Sequence, residues 1–137
     1  MKKNMYWMGI LVFSIISSCI SNDDDSGNLS TMEFEEDVRA LQTSLDLIEA
    51  LAGQSVCADG FTCESIALGE KACGGPKSYL IYSSSIDTDN LEAMVATHNT
   101  LEKAFNIKWD IVSDCLFVGP PSFITCENGK CVASTVN

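Results

Sequence analysis

Cysteine is the residue type in this chain with the greatest scope for chemistry. The sequence has seven cysteines, and Cys19 stands apart because it directly follows an apolar run. The other six are Cys57, Cys63, Cys73, Cys115, Cys126 and Cys131. An even number of cysteines in an exported chain is typical of a disulfide framework. We therefore predict disulfides among these six, each of which contributes about 2 to 4 kcal/mol of stability.

Local geometry gives one indication of the pairing. An Asn-Gly pair between Cys126 and Cys131 favours a two-residue type I′ turn, which sets these two cysteines opposite each other on one face of a hairpin. Their sulfurs could bond to each other, or each could bond a separate partner, for example in the segment Cys57–Cys63. We also favour a bridge between Cys73 and Cys115, because each lies in a loop-like stretch between stronger elements.

Metal binding and dithiol catalysis are the competing uses of cysteine. The intervals between the cysteines lack the paired short ligand steps of zinc ribbons. The sequence has no C-x-x-C motif, so a thioredoxin-like role has no motif to support it. We therefore predict no metal and no cofactor.

The sequence offers no recognisable set of catalytic residues. His98 is the only histidine, and it lies on a predicted buried helix face, which favours a core role over that of a base. Ser83, Ser84 and Ser85 lack a G-x-S-x-G or S-x-x-K frame. The acidic run Asp23–Asp25 does not match the alternating ligands of an EF-hand loop. We predict that the protein is not an enzyme.

The segment Cys73-Gly74-Gly75-Pro76 is the most distinctive short motif. Its glycines resemble a phosphate-binding loop, but the surrounding sequence matches neither a P-loop nor a dinucleotide fingerprint, and proline removes one N–H donor. A tight turn is the better interpretation, since glycine tolerates unusual backbone angles. Aromatic residues nearby could add contact area. The predicted recognition residues are Gly74, Gly75, Pro76, Tyr79, Tyr82 and Trp109, although core packing is favoured over recognition for the aromatic ones.

Two amphipathic helices are predicted to position these residues. Ser30 and Glu33 fit a capping box, and apolar residues then recur every three or four positions, which predicts a helix over Thr31–Ala52. A second helix is predicted to begin at Asp89. One face of this helix carries Leu91, Met94, Val95, His98, Leu101 and Phe105.

Strands are predicted between and after the helices. The apolar and β-branched runs that favour strands are Phe61–Leu68, Ser78–Ser84, Ile111–Val118, Phe123–Cys126 and Lys130–Ala133. The order of helix, strands, helix, strands is typical of an α+β domain. We predict a single disulfide-rich domain over residues 31–137, with two amphipathic helices packed on a small antiparallel sheet.

The first residues match an export signal. Lys2 and Lys3 give a positive start, and the run Met5–Ile16 is mostly apolar. This run is shorter than the roughly 20 residues needed to span a bilayer as a helix. Residues 1–18 are therefore predicted to be a signal peptide that is removed.

The end of this signal carries a lipidation motif. Ile16-Ser17-Ser18-Cys19 resembles the lipobox of bacterial lipoproteins. The resemblance implies cleavage before Cys19, lipid attachment to this cysteine, and anchoring of the protein to a membrane through its N-terminal lipid.

An acidic stretch follows the lipidated cysteine. The run Ser21–Asp25 resembles the surface-export tag of lipoproteins in Bacteroidota-type bacteria, which implies the outer membrane and a position on the cell surface. Clustered aspartates repel one another and extend a chain. Residues 19–30 are predicted to be an acidic, flexible tether.

The charge balance excludes one class of partner. The chain has a net charge of −11, from 8 basic and 19 acidic residues. Removal of the signal peptide also removes Lys2 and Lys3. Nucleic acid requires Lys and Arg to displace its counterions, so we predict no nucleic-acid partner.

A second resemblance covers the cysteine-rich part of the chain. The chain resembles a group of small, cysteine-rich bacterial lipoproteins to which no activity is attached. The resemblance lies in Cys73-Gly74-Gly75-Pro76 with Tyr79–Ser83, in Ser113-Asp114-Cys115 and in the later Cys126–Cys131 segment. We predict a non-enzymatic binding module for an unknown protein or small-molecule ligand. The alternative is an inhibitor of a protease or other envelope enzyme that presents the loop Cys73–Ser78.

Overall fold

Residues 25–134, which are described by a computed structural model, form a helix and a hairpin, then a second helix and a second hairpin. The elements are α1 (Asp25–Gly53), β1 (Cys63–Leu68), β2 (Ser78–Ser83), α2 (Thr88–Lys108), β3 (Phe123–Glu127) and β4 (Lys130–Ser134). The α+β class is confirmed. The strands form two two-stranded antiparallel sheets, β1–β2 and β3–β4, where one sheet was expected. The predicted signal peptide, Cys19 and the start of the tether lie outside the described residues.

Helix α1 begins earlier than its sequence pattern predicted. It starts at Asp25 rather than near Thr31, so the last residues of the predicted tether are helical. The pair Ser30 and Glu33 therefore lies inside the helix. The stretch before Ser30 contains no proline to stop a helix from extending. The C-terminal half of the predicted apolar stripe is confirmed, because Ile48 and Ala52 are buried in the core.

Helix α2 begins at an aspartate cap. The Asp87 carboxylate accepts a hydrogen bond of 3.0 Å from the backbone N–H of Asn90, two residues before the predicted start at Asp89. The buried face changes character along the helix. Leu91 and Val95 are apolar, and the next buried residues at helical spacing are His98, Glu102 and Asn106. The exposed Leu101 departs from the predicted face.

A small apolar core lies between the helices and the first hairpin. Helix α1 contacts β2, α2 contacts β1, and the two helices contact each other. The buried side chains of the core are Ile48, Ala52, Leu68, Tyr82, Leu91 and Val95. Such a core is small for a domain of this length, so we expect the cross-links between the hairpins to supply much of the remaining stability.

The second hairpin has the predicted geometry. Asn128 and Gly129 have φ angles of 51° and 76°, as the turn of a tight hairpin requires. Cys126 is paired with Cys131 in the register of β3 and β4. Both observations confirm the prediction from the Asn-Gly pair.

The segment predicted as a strand over Ile111–Val118 is irregular. It follows α2, pairs with no described strand and exposes large apolar side chains; Val112 is 94% exposed and Phe117 is 91% exposed. Gly-Pro-Pro follows it directly, and proline lacks the N–H needed for pairing. The strand prediction is wrong because β-propensity does not form a strand without an edge to pair with.

No helix within residues 25–134 combines the length and the apolar character needed to cross a membrane.

Candidate functional site

Two disulfides fasten the second hairpin to the chain around the start of β1. Cys57 is bonded to Cys126 and Cys63 to Cys131, with Cα–Cα distances of 5.8 and 5.6 Å. Of the two alternatives left open by the sequence, the structure has separate partners for the paired cysteines. Sequence alone could not choose, because both alternatives place the two sulfurs on the same face of the hairpin.

The sulfurs of these bridges lie close together. Those of Cys57, Cys63 and Cys131 are all within 4.8 Å of one another, a spacing that could hold a metal ion if they were thiolates. Each of the three is engaged in a disulfide. A disulfide sulfur is not a thiolate ligand, so metal binding here would require reduction of both bridges.

The polar half of α2 holds the loop that leaves β1. The Asn99 side chain accepts a 2.7 Å hydrogen bond from the N–H of Gly69 and donates one of 3.1 Å to the Ala67 carbonyl. Asn106 donates a hydrogen bond of 2.8 Å to the Glu70 carbonyl. These side chains satisfy the Ala67 carbonyl near the end of β1 and backbone groups of Gly69 and Glu70 just beyond it, so they stand in for a neighbouring strand.

Glu102 joins the two ends of the same loop. One carboxylate oxygen accepts a 2.7 Å hydrogen bond from the Glu70 N–H, and the other accepts one from the Lys77 ammonium group. Gly69 has a φ of +78°, and a Cβ at this position would lie 2.9 Å from the Glu102 oxygen. The chain therefore requires glycine here for two reasons, its backbone angle and its close approach to the carboxylate.

Between these anchors, the loop carries the Cys73-Gly74-Gly75-Pro76 motif into solvent. Lys71 N–H donates to the Gly75 carbonyl and Gly74 N–H donates to the Lys71 carbonyl, each at 2.9 Å. Gly74 and Gly75 have φ angles of +93° and +85°, which confirms the turn expected from the glycines. Both glycines are exposed and Pro76 is half-buried. The loop is thus exposed and held at both ends.

The Lys71 side chain ties the irregular segment to this loop. Its ammonium group donates to the Asp114 carboxylate at 2.6 Å and to the Leu116 carbonyl at 2.8 Å. The lysine side chain is 11% exposed. Its hydrogen bond holds the pKa of Asp114 below the ordinary value. A single cation therefore fixes the path of the segment, and Leu116 and Phe117 project into solvent beside it.

Cys73 and Cys115 meet where the loop and the segment touch. Both are exposed free thiols, so the structure brings the predicted pair together without a bond between them. The Cys73 sulfur lies 3.5 Å from the Ser113 hydroxyl and donates to the Asp114 carbonyl at 3.2 Å. The hydrogen bond from Cys115, followed by that from Ser113, lowers the pKa of Cys73, whereas the hydrogen bond to Cys73 raises the pKa of Cys115. The two thiols are therefore unequal.

The predicted aromatic recognition residues do not share one surface. Tyr82 is 2% exposed, and burial, with the nearby carboxylates of Glu64 and Glu92, raises the pKa of its phenol to about 12. Tyr79 is half-buried on β2. Tyr82 is therefore a core residue, and its prediction as a recognition residue is wrong.

Trp109 belongs to the contact between the ends of the two helices. Its indole N–H donates to Asp37 at 2.9 Å, and its ring packs edge-on against Phe34 with centroids 5.1 Å apart. The Lys108 ammonium group lies 4.9 Å from the Trp109 ring centroid. This residue packs α2 against α1 and is not part of the Cys73–Ser78 loop.

The exposed apolar residues of the segment were missed from the sequence. Val112, Leu116 and Phe117 are 94%, 72% and 91% exposed. Their β-propensity predicts a strand, although the following Gly-Pro-Pro indicates that the segment does not continue into a ladder. Exposed apolar groups held in a defined position are typical of contact surfaces.

The candidate nucleophiles and base serve the fold. His98 is 4% exposed, and burial lowers its pKa despite the opposing effect of Glu102. Its Nε2 lies 4.0 Å from Glu102, and its Nδ1 has no hydrogen-bond partner among the described residues. Ser84 and Ser85 accept hydrogen bonds from backbone N–H groups of the preceding connection. These three side chains are therefore engaged in or buried by the fold.

No family model, no curated protein and no solved structure matches this chain.

Proposed function

We propose that the protein is a lipid-anchored protein of the cell envelope whose disulfide-braced domain is a non-enzymatic binding module. The observation that carries the proposal is the exposed apolar segment held by Lys71 beside the exposed loop. We call Val112, Leu116 and Phe117, together with the loop Cys73–Ser78, the contact surface. The ligand is a protein with an apolar pocket or a small molecule with an apolar group that can cover these side chains.

The energetic reason is the cost of leaving large side chains in water. Burial of a phenylalanine or leucine side chain contributes about 1.5 to 3 kcal/mol. The Phe117 side chain is 91% exposed, so nearly all of this contribution is available to a partner. Because Lys71 already holds the backbone at Leu116, binding loses less conformational entropy than it would with a free loop.

The anchoring part of the proposal rests on the sequence. The lipobox-like Ile16–Cys19 supports lipid attachment at Cys19, and the acidic stretch after it supports the outer membrane and the cell surface. Two disulfides agree with export, because they persist in oxidising compartments outside the cytoplasm.

A specific observation also favours the alternative of an enzyme inhibitor. Protease inhibitors commonly bind through one rigid exposed loop whose backbone changes little on binding. The loop Cys73–Ser78 is exposed around its two glycines, and hydrogen bonds to Glu102 and within the turn hold its ends. An inhibitor would use the loop itself, whereas a general binding module would depend on Phe117.

The test compares alanine variants in whole cells. Cells expressing the wild type, Phe117→Ala, Gly75→Ala or Leu47→Ala are treated with a cross-linker, and the protein is purified through a C-terminal tag. Leu47 is the matched control, because it is a large apolar residue, 57% exposed. It lies on α1 beside Met94 of α2, and we call this surface the helix layer. We expect a cross-linked partner with the wild type and with Leu47→Ala, and its loss with Phe117→Ala.

Three results would contradict parts of the proposal. If the wild type recovers no partner, the binding role is wrong. If Leu47→Ala rather than Phe117→Ala loses the partner, binding belongs to the helix layer. If only Gly75→Ala loses it, the inhibitor alternative replaces the Phe117 surface. Each variant is first checked by thermal unfolding. Phe117→Ala and Leu47→Ala should change stability by no more than about 0.5 kcal/mol, whereas Gly75→Ala carries the strain of a φ of +85°, about 1 to 2 kcal/mol.

A further inference from the structure

The described cysteines fall into two classes. Four are closed in the bridges that fasten the second hairpin. Cys73 and Cys115 are free and exposed, and the Cys73 sulfur lies 3.2 Å from the carbonyl oxygen of Asp114, the residue just before Cys115. Each structural bridge includes a buried or half-buried cysteine, namely Cys57 in one and Cys63 and Cys131 in the other, whereas both cysteines of the free pair are exposed, and a reactive cysteine is accessible to its reagent. The exposed pair therefore has the setting of a reactive dithiol.

The backbone on both sides of the pair is already positioned. Cys73 lies in the turn closed by the two backbone hydrogen bonds between Lys71, Gly74 and Gly75. Cys115 lies between Asp114 and Leu116, both of which accept hydrogen bonds from Lys71. Lys71 thus anchors both segments of the chain that carry the two sulfurs. Closing a bond between them requires only local movement.

We propose that Cys73 and Cys115 form a redox-active dithiol, which is oxidised to an intramolecular disulfide by exchange with an external disulfide, with Cys73 as the attacking sulfur. This inference goes beyond the binding role and does not depend on it, because it concerns the chemistry of the pair alone.

The surroundings shift the pKa values of the two thiols in opposite directions, and Cys73 has the lower one. Hydrogen bonds from Cys115 and Ser113 stabilise the Cys73 thiolate, and the positive charge of Lys71 adds to this, so the pKa of Cys73 is lowered. The pKa of Cys115 is raised. The thiolate is the nucleophile in exchange. Cys73 therefore attacks first and Cys115 resolves the intermediate.

The exchange balances in two steps. The Cys73 thiolate attacks one sulfur of the external disulfide, which forms a mixed disulfide and releases one thiolate of the reagent. Cys115 loses its proton to solvent and attacks the Cys73 sulfur, which forms the intramolecular bond and releases the second thiolate. The protein loses two electrons and two protons, and the external disulfide becomes two thiols.

The experiment uses the full chain in detergent, with oxidised glutathione as the probe. Samples are quenched with acid at intervals, alkylated, and analysed by intact-mass and peptide mass spectrometry. The wild type is expected to lose two thiols and to retain no glutathione. Cys115→Ser should retain one glutathione on Cys73, because the resolving sulfur is gone. Serine is chosen because its hydroxyl can still donate a hydrogen bond.

The relative rates test which sulfur attacks. We expect Cys73 in Cys115→Ser to react at least about threefold faster than Cys115 in Cys73→Ser, since a larger thiolate fraction outweighs the lower nucleophilicity that accompanies it. The reverse order would overturn the assignment of Cys73.

A return titration tests reversibility. Reduced glutathione is expected to reopen Cys73–Cys115 while Cys57–Cys126 and Cys63–Cys131 remain closed. If the wild type retains glutathione instead of closing, or if its new bridge reopens no sooner than the other two, the pair is not a redox-active dithiol.

Discussion

Replacing Gly69 tests whether α2 holds the functional loop as tightly as its contacts indicate. Gly69 has a φ of +78°, and an alanine Cβ there would lie 2.9 Å from the Glu102 oxygen and 3.0 Å from the Lys77 Cβ. The left-handed backbone costs alanine about 1 to 2 kcal/mol. Displacement of the Glu102 carboxylate weakens the hydrogen bonds that it accepts from Glu70 and Lys77. Hydrogen bonds to charged groups contribute about 1.5 to 3 kcal/mol to stability. We expect Gly69→Ala to lower the free energy of unfolding by about 3 kcal/mol.

Gly74→Ala is the matched control. Gly74 has a φ of +93°, but no atom lies within 4 Å of an added Cβ. It therefore carries the cost of backbone strain without the clash, about 1 to 2 kcal/mol. The two variants separate conformational strain from loss of the contact with α2.

Urea unfolding followed by the fluorescence of Trp109 measures both free energies. Trp109 packs between the helices, so its emission reports the loss of tertiary structure. Hydrogen exchange then shows where the loss occurs, and Gly69→Ala should accelerate exchange at Glu70, whose N–H donates to Glu102. Equal destabilisation by the two variants, with Glu70 still protected, would refute the role of Glu102 as the anchor of the loop.

Three further predictions concern the anchor, the segment and the buried histidine. Cys19→Ala should abolish incorporation of radiolabelled palmitate and release the protein from membranes; unchanged detergent partitioning would count against lipidation. Lys71→Met should accelerate hydrogen exchange over residues 113–117 and lower stability by no more than about 1 kcal/mol, because its partner Asp114 is exposed; unchanged exchange would contradict its anchoring role. Burial lowers the pKa of His98, so the unfolded chain takes up the proton first. Stability should therefore fall as pH drops below about 6.5, and His98→Phe should flatten this slope in urea unfolding; an unchanged slope would exclude His98 as its source.

Local sequence signals predicted the elements that depend on local geometry. The Asn128-Gly129 pair defined the second hairpin, and the helical spacing of Leu91, Val95 and His98 identified the buried face of α2. These features follow from turn angles and helix periodicity, which involve neighbours along the chain. The start of α1 was less well predicted, because a capping-box pair can also occur inside a longer helix.

Features that depend on distant contacts were not predictable in the same way. Cys57 pairs with Cys126 across 69 residues, and nothing in the local sequence distinguishes this pairing from a bridge within the hairpin. Glu102 and Asn106 were not identified because polar residues on a helix are ordinarily expected to face solvent. Their role became evident only with the backbone of Gly69 and Glu70 beside them.

The candidate site shows the same division. The exposed turn at Gly74 and Gly75 was expected from glycine chemistry. The sequence predicts a strand at Phe117 because β-propensity does not show whether a neighbouring strand is available for pairing. Tyr82 was a candidate for both recognition and core packing because sequence does not show which face of β2 meets the core, and it is buried.

The most direct measurement of the binding role is photo-crosslinking at position 117 in living cells. Phe117 is replaced by a photoreactive phenylalanine analogue, with the same analogue at Leu47 in a second strain. We predict a discrete, light-dependent adduct from position 117 and none from position 47. An adduct from position 47 alone, or no adduct from either position, would contradict the proposal that the segment beside the Cys73–Ser78 loop is where this protein binds its partner.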